Sequence, residues 1–280
     1  MITIEQHKLV DTDGKIKISF QETPNVSGPF NAGLPDTIVI HYTAGSSLTS
    51  SAKWLQNPAA NASAHLVLGK TGEVIQLAPF NVRTWHAGRS TWKGRSGLNQ
   101  YSIGIEIDNA GPLTQTPEGY LTHFGKKVEN KDVVLAKHKF DSSERGWEAY
   151  TPQQLQVVEE ICQALKAAYG IKEILGHDDI APSRKRDPGP AFPLESLQGR
   201  VMFGRNEDLP DETDDDALID AAVVFADNLN IRSNPSTNAS MVSNPLSKGT
   251  KVRILKSQGG WSYVKADIEG WVSNQWLRNV

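Results

Sequence analysis

The sequence predicts an α/β domain, with a central mixed β-sheet flanked by helices, followed by a small all-β barrel. Strand-like and helix-like segments alternate over roughly the first 200 residues, as in a layered α/β domain. The acidic stretch RNEDLPDETDDD (205–216) is nearly free of apolar residues, which is typical of an exposed linker. Only short strand and turn signals follow it. We therefore predict a large domain over 1–204, a linker over 205–216 and a barrel over 217–280.

The first predicted elements are strands with a short helix between them. TIVIH (37–41) is an apolar, β-branched run that predicts a strand buried on both faces. A short helix is expected before Pro58, and residues 65–77 predict a hairpin that turns at Gly69 and Gly72. In SIGIEID (102–108) the residues alternate, so three isoleucines share one face, and the opposite face carries Gly104, Glu106 and Asp108.

The segment from Thr151 to Tyr169 predicts the longest helix. Thr151 and Gln154 form a capping box, Pro152 occupies the first helical position, and Gly170 ends the helix. An apolar stripe at helical spacing favours core packing, and it consists of Leu155, Val158, Cys162, Leu165 and Tyr169. We accordingly interpret Cys162 as a small buried apolar residue.

Composition restricts the classes of function. The 280 residues are 38% hydrophobic and 22% charged, which is ordinary for a soluble globular protein. A net charge of -3 argues against nucleic acid as a partner. The single cysteine excludes a multi-cysteine zinc site, so a metal would need histidines and carboxylates. We expect no secretory signal and no membrane span, and therefore a protein that is cytoplasmic as synthesised.

The stretch GHDDIAPSRKRDPGP (176–190) is the strongest candidate for a site. Its prolines and glycines predict a loop of fixed shape, which could also be a solvated charged turn. A catalytic zinc takes three protein ligands and leaves a position for water. If His177 and Asp187 bind such an ion, His41 at the end of a buried strand is the best third candidate, although a lone histidine there is often structural.

Five motifs in order resemble one known family, the zinc-dependent N-acetylmuramoyl-L-alanine amidases of type 2, which are related to the peptidoglycan recognition proteins. The resemblance covers roughly residues 30–195 and rests on TIVIHYTAG, SAHLVLGKTGEVIQL, WHAG, SIGIEIDNAG and GHDDIAPSRKRDPGPAF. It implies that one zinc ion per chain is bound by His41, His177 and Asp187.

The same resemblance implies two catalytic residues, Glu106 and Lys185. A carboxylate beside the metal can take a proton from the attacking water and return it to the leaving nitrogen. A cation there can stabilise the oxyanion, and the surrounding prolines hold Lys185 close to Asp187. The alternative for Glu106 is a structural salt bridge.

Weaker signals surround these residues. In related proteins the WHAG loop lines the substrate cleft, so Trp85 and His86 are candidate substrate-binding residues, with a structural role as the alternative for His86. We interpret His65 as a structural histidine. Arg184 and Arg186 could meet substrate carboxylates, although solvated charges are the safer expectation. The insertion 111–150 contains His123 and His138 and is a candidate wall of the cleft.

The tail resembles a bacterial SH3-type module. LNIRSNPS, KGTKVRIL, GGWSYVKA and GWVSNQWL carry the resemblance, which implies a module that holds an enzyme on the cell wall. A structural or autoregulatory role is the alternative. Trp261, Tyr263, Trp271 and Trp276 are candidates for a glycan or peptide surface, although about half of them are expected in the core of so small a barrel.

The expected function is hydrolysis of the amide bond between N-acetylmuramic acid and L-alanine. We expect a monomer that acts on peptidoglycan or muropeptides, either as a recycling enzyme or as a phage-type lysin that reaches the wall after release. Intact wall, soluble fragments and 1,6-anhydro sugars stay open as substrates. Two other hypotheses are a zinc-less peptidoglycan-binding protein and a zinc amidase that cuts another amide.

Overall fold

A computed structural model describes residues 1–203, 220–232, 235–237, 239–242, 244–258 and 261–266. The chain forms two compact units, Met1–Met202 and Phe203–Val280, which are described separately. The predicted linker 205–216 lies outside the described residues, so the bounds of the three predicted regions stay predictions.

The strands, in chain order, are β1 (Ile2–Glu5), β2 (Lys8–Asp11), β3 (Ile18–Phe20), β4 (Val26–Pro29), β5 (Thr37–Tyr42), β6 (Leu66–Leu68), β7 (Val74–Gln76), β8 (Val82–Thr84), β9 (Thr91–Trp92), β10 (Arg95–Ser96), β11 (Ser102–Ile107), β12 (Thr114–Thr116), β13 (Gly119–Leu121), β14 (Lys127–Val128), β15 (Val133–Lys137), β16 (Glu144–Glu148), β17 (Glu173–Gly176), β18 (Asp220–Val223), β19 (Asn228–Leu229), β20 (Leu246–Ser247), β21 (Lys251–Gln258) and β22 (Trp261–Ala266). The α-helices are α1 (Leu48–Gln56), α2 (Pro152–Tyr169), α3 (His177–Ile180) and α4 (Leu194–Phe203).

Six strands form the central mixed sheet of the first unit, in the order β17-β5-β11-β6-β7-β3. β5 pairs in parallel with β17 on one side and with β11 on the other. This central position explains the continuous apolar run in β5, because both faces of a parallel sheet are covered. β6 and β7 are antiparallel and form the predicted hairpin, with Gly72 at φ +88° in the turn.

Helix α2 covers one face of this sheet. The side chains of Val158, Ile161 and Leu165 are fully buried against the alternate isoleucines of β5 and β11. Each such side chain stabilises the fold by about 1.5–3 kcal/mol. The predicted capping box is present at Thr151 and Gln154, so the sequence signals for this helix are confirmed.

The opposite face of β5 and β11 carries the polar residues. Because side chains alternate along a strand, Ile38 and Ile40 face α2, whereas Val39 and His41 face the other side. Glu106 lies directly opposite His41 in the parallel register. The periodicity of two short strands therefore places both polar residues on the face away from α2.

The insertion 111–150 forms two small sheets of its own. β12, β13 and β14 make a three-stranded antiparallel sheet, and β15 pairs with β16 as a hairpin. Trp147 in β16 is only 1% exposed, and its ring carbons would lie within 2.9 Å of a Cβ atom placed on Gly189. This close contact, together with a φ of +76° at Gly189, explains why the DPGP end of the loop carries glycine.

The second unit consists of short antiparallel strands, as predicted. β18, β21 and β22 form one sheet, and β19 pairs with β20. Val224, Leu246 and Val252 are buried together and form its core. Tyr263 is 69% exposed and Trp261 is half-buried, whereas Trp271 and Trp276 lie outside the described residues.

Within the described ranges, no helix has the length and apolar character that a membrane crossing requires.

Candidate metal centre

Three side chains from distant parts of the sequence converge at one edge of the central sheet. His41 Nδ1, His177 Nδ1 and Asp187 Oδ2 lie 2.9 Å from one another in all three pairs. All three residues are buried. The structure thus brings together the predicted ligand set, and each residue directs one donor atom to the same point.

Strand pairing accounts for the position of the two histidines. His41 lies near the end of β5, and β17 ends at Gly176, which is opposite Ile40 in the register. His177 follows immediately as the first residue of α3 and therefore lies beside His41. The predicted loop thus begins with one helical turn, since Pro182 and the residues after it prevent a longer helix.

The three donors fit a metal ion. A tetrahedral zinc ion holds its ligands at about 2.0–2.2 Å, so the donor atoms lie roughly 3.4 Å apart. The donors here need to separate by only a few tenths of an ångström to reach that spacing. Two imidazoles and one carboxylate are also a donor set that zinc accepts in catalytic sites, with one position left for water.

The protonation of the donors favours metal binding. Burial, reinforced by the neighbouring His177 ring, lowers the pKa of His41 to about 4, so this ring is neutral at pH 7. Burial alone would raise the pKa of Asp187, but the adjacent His177 and His41 rings outweigh it and hold that pKa well below its usual range. Metal ligands must be deprotonated, and these two residues meet that condition without the ion.

His177 is held by a second contact outside the donor triangle. Its Nε2 atom lies 3.1 Å from the carbonyl oxygen of Ala87, which can only accept a hydrogen bond. The proton of this ring therefore belongs on Nε2, and Nδ1 keeps a free lone pair directed at the triangle.

A pocket of about 340 Å³ opens at the metal centre, where His177 and Asp187 form part of its lining. It is lined by the predicted catalytic residues Glu106 and Lys185, by the predicted substrate contacts Trp85 and His86, and by Arg184 and Arg186. The structure thus places every predicted site residue except His41 in the lining of one cavity, and His41 contacts His177 and Asp187 beneath it. The cavity is large enough for part of a sugar–peptide ligand.

Glu106 is an unpaired carboxyl group in this pocket. Its Oε2 atom is buried and has no hydrogen-bond partner among the described residues. Burial raises the pKa of Glu106 well above its ordinary value; the charge of Asp187 raises it further, and that of Lys185 opposes the shift. Within the described part of the chain, the Oε2 atom therefore has neither a salt-bridge nor a hydrogen-bond partner, and a bound molecule can supply one.

His86 and His65 are buried one behind the other next to the metal site. The His86 ring lies edge-on to His41, with its Nδ1 atom 3.0 Å from His41 Nε2. His65 Nε2 donates to the carbonyl of Val82, and His65 Nδ1 accepts from the backbone of Gly104. His65 is thus a fully hydrogen-bonded structural residue, as predicted, and burial lowers its pKa to about 4.

The two arginines of the loop differ: Arg184 is exposed, as expected of a solvated charge, whereas Arg186 is half-buried and paired with Asp141, which corrects the expectation for that residue. Arg184 donates to the carbonyl oxygens of Ala87 and Arg89, at 3.1 and 3.0 Å. Arg186 donates to Asp141 at 2.9 Å. Their planar guanidinium groups connect the loop to two neighbouring segments, which composition alone does not reveal.

The insertion 111–150 packs against the loop 176–190 and does not line the pocket, a role that the sequence did not indicate. None of the residues that line the pocket comes from 111–150. Instead, His138 Nε2 donates to Asp178 at 2.8 Å, and Tyr150 Oη donates to the carbonyl of Pro188 at 2.8 Å. Asp178 and Tyr150 therefore hold the loop in place, a role that sequence reasoning missed; the only available signal was the first acidic residue of the GHDD motif, Asp178.

Comparisons with known proteins agree with the two resemblances. The profile of the N-acetylmuramoyl-L-alanine amidase family matches residues 31–190, and that of the bacterial SH3 domain matches residues 227–278. The first match includes all three donors as well as Glu106 and Lys185.

Individual relatives include two amidases of Escherichia coli (strain K12). The 1,6-anhydro-N-acetylmuramyl-L-alanine amidase AmpD is 35% identical over 132 residues, which are 46% of this chain and 53% of AmpD. The N-acetylmuramoyl-L-alanine amidase AmiD is 32% identical over 170 residues, which are 57% of this chain and 51% of AmiD. The chain thus spans about half the length of these relatives.

A solved structure of Escherichia coli AmiD in complex with the substrate anhydro-N-acetylmuramic acid-L-Ala-D-gamma-Glu-L-Lys is also similar. It is 27% identical, covers 70% of this chain and 64% of its own, and has a TM-score of 0.45.

Proposed function

Because the chain belongs to the N-acetylmuramoyl-L-alanine amidase family, we propose that it hydrolyses the amide bond between N-acetylmuramic acid and L-alanine. The observation that carries this proposal is the convergence of His41, His177 and Asp187 beneath a pocket that also contains Glu106 and Lys185. We propose that these three donors hold one zinc ion per chain. When bound, zinc lowers the pKa of water and polarises the scissile carbonyl group.

The residues of this chain supply the remaining chemistry. The Oε2 atom of Glu106 accepts a proton from the attacking water and returns it to the amide nitrogen as the C–N bond breaks. Lys185 donates to the carbonyl oxygen as negative charge develops on it. The products are the carboxylic acid of the muramyl group and a peptide with a free amino group on L-alanine.

The family and the pocket support a sugar–peptide substrate. One relative is named for 1,6-anhydro sugars, and another has been solved with an anhydromuramyl peptide. We propose muropeptides as the substrate class for 1–204, the amidase catalytic domain, with Trp85 and His86 near the bound substrate. A 340 Å³ pocket accommodates the muramyl–alanine junction more readily than a whole glycan strand.

The C-terminal region is proposed to bind the cell wall. The bacterial SH3 profile matches residues 227–278, and Tyr263 presents an exposed aromatic ring. Residues 217–280 would then hold the catalytic domain, through the linker 205–216, at an insoluble substrate where its effective concentration is high. We propose that the chain acts as a monomer, because this chain itself supplies all three proposed zinc ligands together with Glu106 and Lys185.

Two measurements on the full chain test the proposed function. Zinc content after metal loading should be one ion per wild-type chain and close to zero for His41→Ala. Mass spectrometry of products should show free L-alanyl peptides from defined muropeptides and from whole sacculi with wild type only. Zinc-free wild type that binds sacculi without cleavage would establish a recognition protein. Zinc-dependent cleavage at another amide would establish a different amidase.

A further inference from the structure

The geometry points to His86 as a positioning residue, which holds His41 in the tautomer whose Nδ1 atom is free to bind the metal. We propose that His86 acts through His41 and raises the affinity of the site for zinc. This inference rests on the proposed function, because it assigns a role towards the ion that His41, His177 and Asp187 are proposed to hold.

The first step is the proton on His86. Its Nε2 atom lies 3.2 Å from the carbonyl oxygen of Ser102 and 3.2 Å from the Ser102 hydroxyl oxygen. That hydroxyl group donates its own hydrogen to the carbonyl of Leu98 at 2.6 Å. Both Ser102 oxygens therefore act as acceptors, and His86 Nε2 must carry the hydrogen that they accept.

The second step is the state of the other nitrogen of His86. The ring is buried, and its described partners are a carbonyl group, a hydroxyl group and another imidazole, none of which carries negative charge. A buried imidazolium without a counter-charge is unfavourable, so the ring is neutral. Since its hydrogen is on Nε2, its Nδ1 atom is an acceptor.

The third step derives the tautomer of His41 from the acceptor state of His86 Nδ1. His86 Nδ1 lies 3.0 Å from His41 Nε2, so His41 must donate from Nε2. A neutral His41 then has its lone pair on Nδ1, the atom that faces His177 and Asp187. His177 is fixed in the same sense by the carbonyl of Ala87, so both ligand rings use Nδ1 for the site and Nε2 for an anchor.

Contacts with β11 and with Asn99 fix the position of the His86 ring. A Cβ atom on Gly104 would lie 2.3 Å from His86 Cγ, so the ring occupies the space that a side chain in β11 would need. Asn99 Oδ1 accepts hydrogen bonds from the backbone N–H groups of His86 and Ala87, at 3.1 and 2.7 Å. A loop histidine held this firmly is suited to orient its neighbour.

The test compares zinc affinity in three variants of the full chain. His86→Phe keeps a ring but removes the acceptor, His86→Asn restores an acceptor oxygen, and His65→Gln perturbs the neighbouring buried histidine, which does not contact a ligand. Loss of a hydrogen-bonding partner behind a metal ligand typically weakens metal binding 10- to 100-fold. We expect about this loss for His86→Phe, partial recovery for His86→Asn, and wild-type affinity for His65→Gln despite lower thermal stability.

Zinc dissociation constants from competition with a chromophoric chelator provide the readout. Wild-type affinity in His86→Phe, or an equal loss in His65→Gln, would overturn the inference. If His86→Phe does not fold, ¹⁵N chemical shifts of labelled histidines in zinc-loaded wild type decide instead, and a hydrogen on Nδ1 of His86 would refute the assignment. Absence of zinc binding in wild type itself would refute the proposed function.

Discussion

Replacing Glu106 by glutamine separates proton transfer from metal binding. The substitution keeps the size of the side chain and one of its oxygens but removes its ability to take up a proton. Glu106 is not one of the three converging donors, so the variant should still bind one zinc ion per chain. General acid–base catalysis contributes about 10²- to 10⁴-fold to the rate, and we expect kcat to fall by that amount.

The same substitution should stabilise the metal-free protein even though it lowers turnover, because Glu106 is buried. The folded state raises the pKa of this carboxyl group well above its ordinary value, so the folded chain holds the proton more tightly than the unfolded chain. The contribution of Glu106 to the free energy of unfolding is fully present below about pH 4.5, and it is lost as pH rises through the raised pKa. Metal-free Glu106→Gln lacks this loss, so its stability advantage over metal-free wild type should grow as pH rises from 4.5.

Two assays are needed because the two effects have opposite signs. Turnover of a defined muropeptide by the zinc-loaded protein measures the first, and urea unfolding of the metal-free protein between pH 4 and pH 8 measures the second. The acid limb of the rate profile should also shift or flatten in the variant. Wild-type turnover with an unchanged profile would show that Glu106 moves no proton, and a stability gap independent of pH would refute the assigned burial effect.

Three other perturbations test separate parts of the structure. Lys185→Met should retain zinc and lose about 10²- to 10³-fold in kcat with the acid limb in place, because one oxyanion donor is removed; zinc loss would instead make Lys185 part of the metal site. Truncation within 205–216 should leave cleavage of small muropeptides intact and weaken binding to insoluble wall, and equal activity on both substrates would exclude targeting. The lowered pKa of His65, about 4 against an ordinary 6.5, means that the unfolded chain binds a proton first as pH falls. At about 1.4 kcal/mol per pKa unit, roughly 3 kcal/mol of stability should be lost between pH 6.5 and pH 4. His65→Gln should lose less over the same range in urea unfolding, and an equal loss would contradict this assignment.

Local patterns were sufficient for the elements that present the metal donors. The alternation in β11 predicted that its isoleucines share one face and that Glu106 lies on the other, because a strand has a fixed period of two. In the structure His41 of β5 lies opposite Glu106 in the parallel register. The capping residues of α2 were equally informative, since a helix end satisfies its backbone groups within a few residues.

Interactions between distant segments could not be predicted in this way. The orientation of His86 depends on the missing side chain at Gly104 and on the carbonyl of Ser102, which no local pattern relates to a WHAG loop. The support of the metal loop by His138 and Tyr150 depends on how the insertion packs. Such contacts follow from tertiary geometry, and a sequence indicates only the residue types that could make them.

The order of the strands has a consequence for the kinetics of folding. His41 lies in β5 and His177 directly follows β17, and these two strands are neighbours in the sheet although the 130 residues 43–172 lie between them. Contacts between such distant segments form slowly, because a long stretch of chain must be closed before any pairing stabilises it. The proposed three-donor zinc site is therefore complete only after these strands have paired. The rate of zinc uptake should equal the rate at which the central sheet is completed.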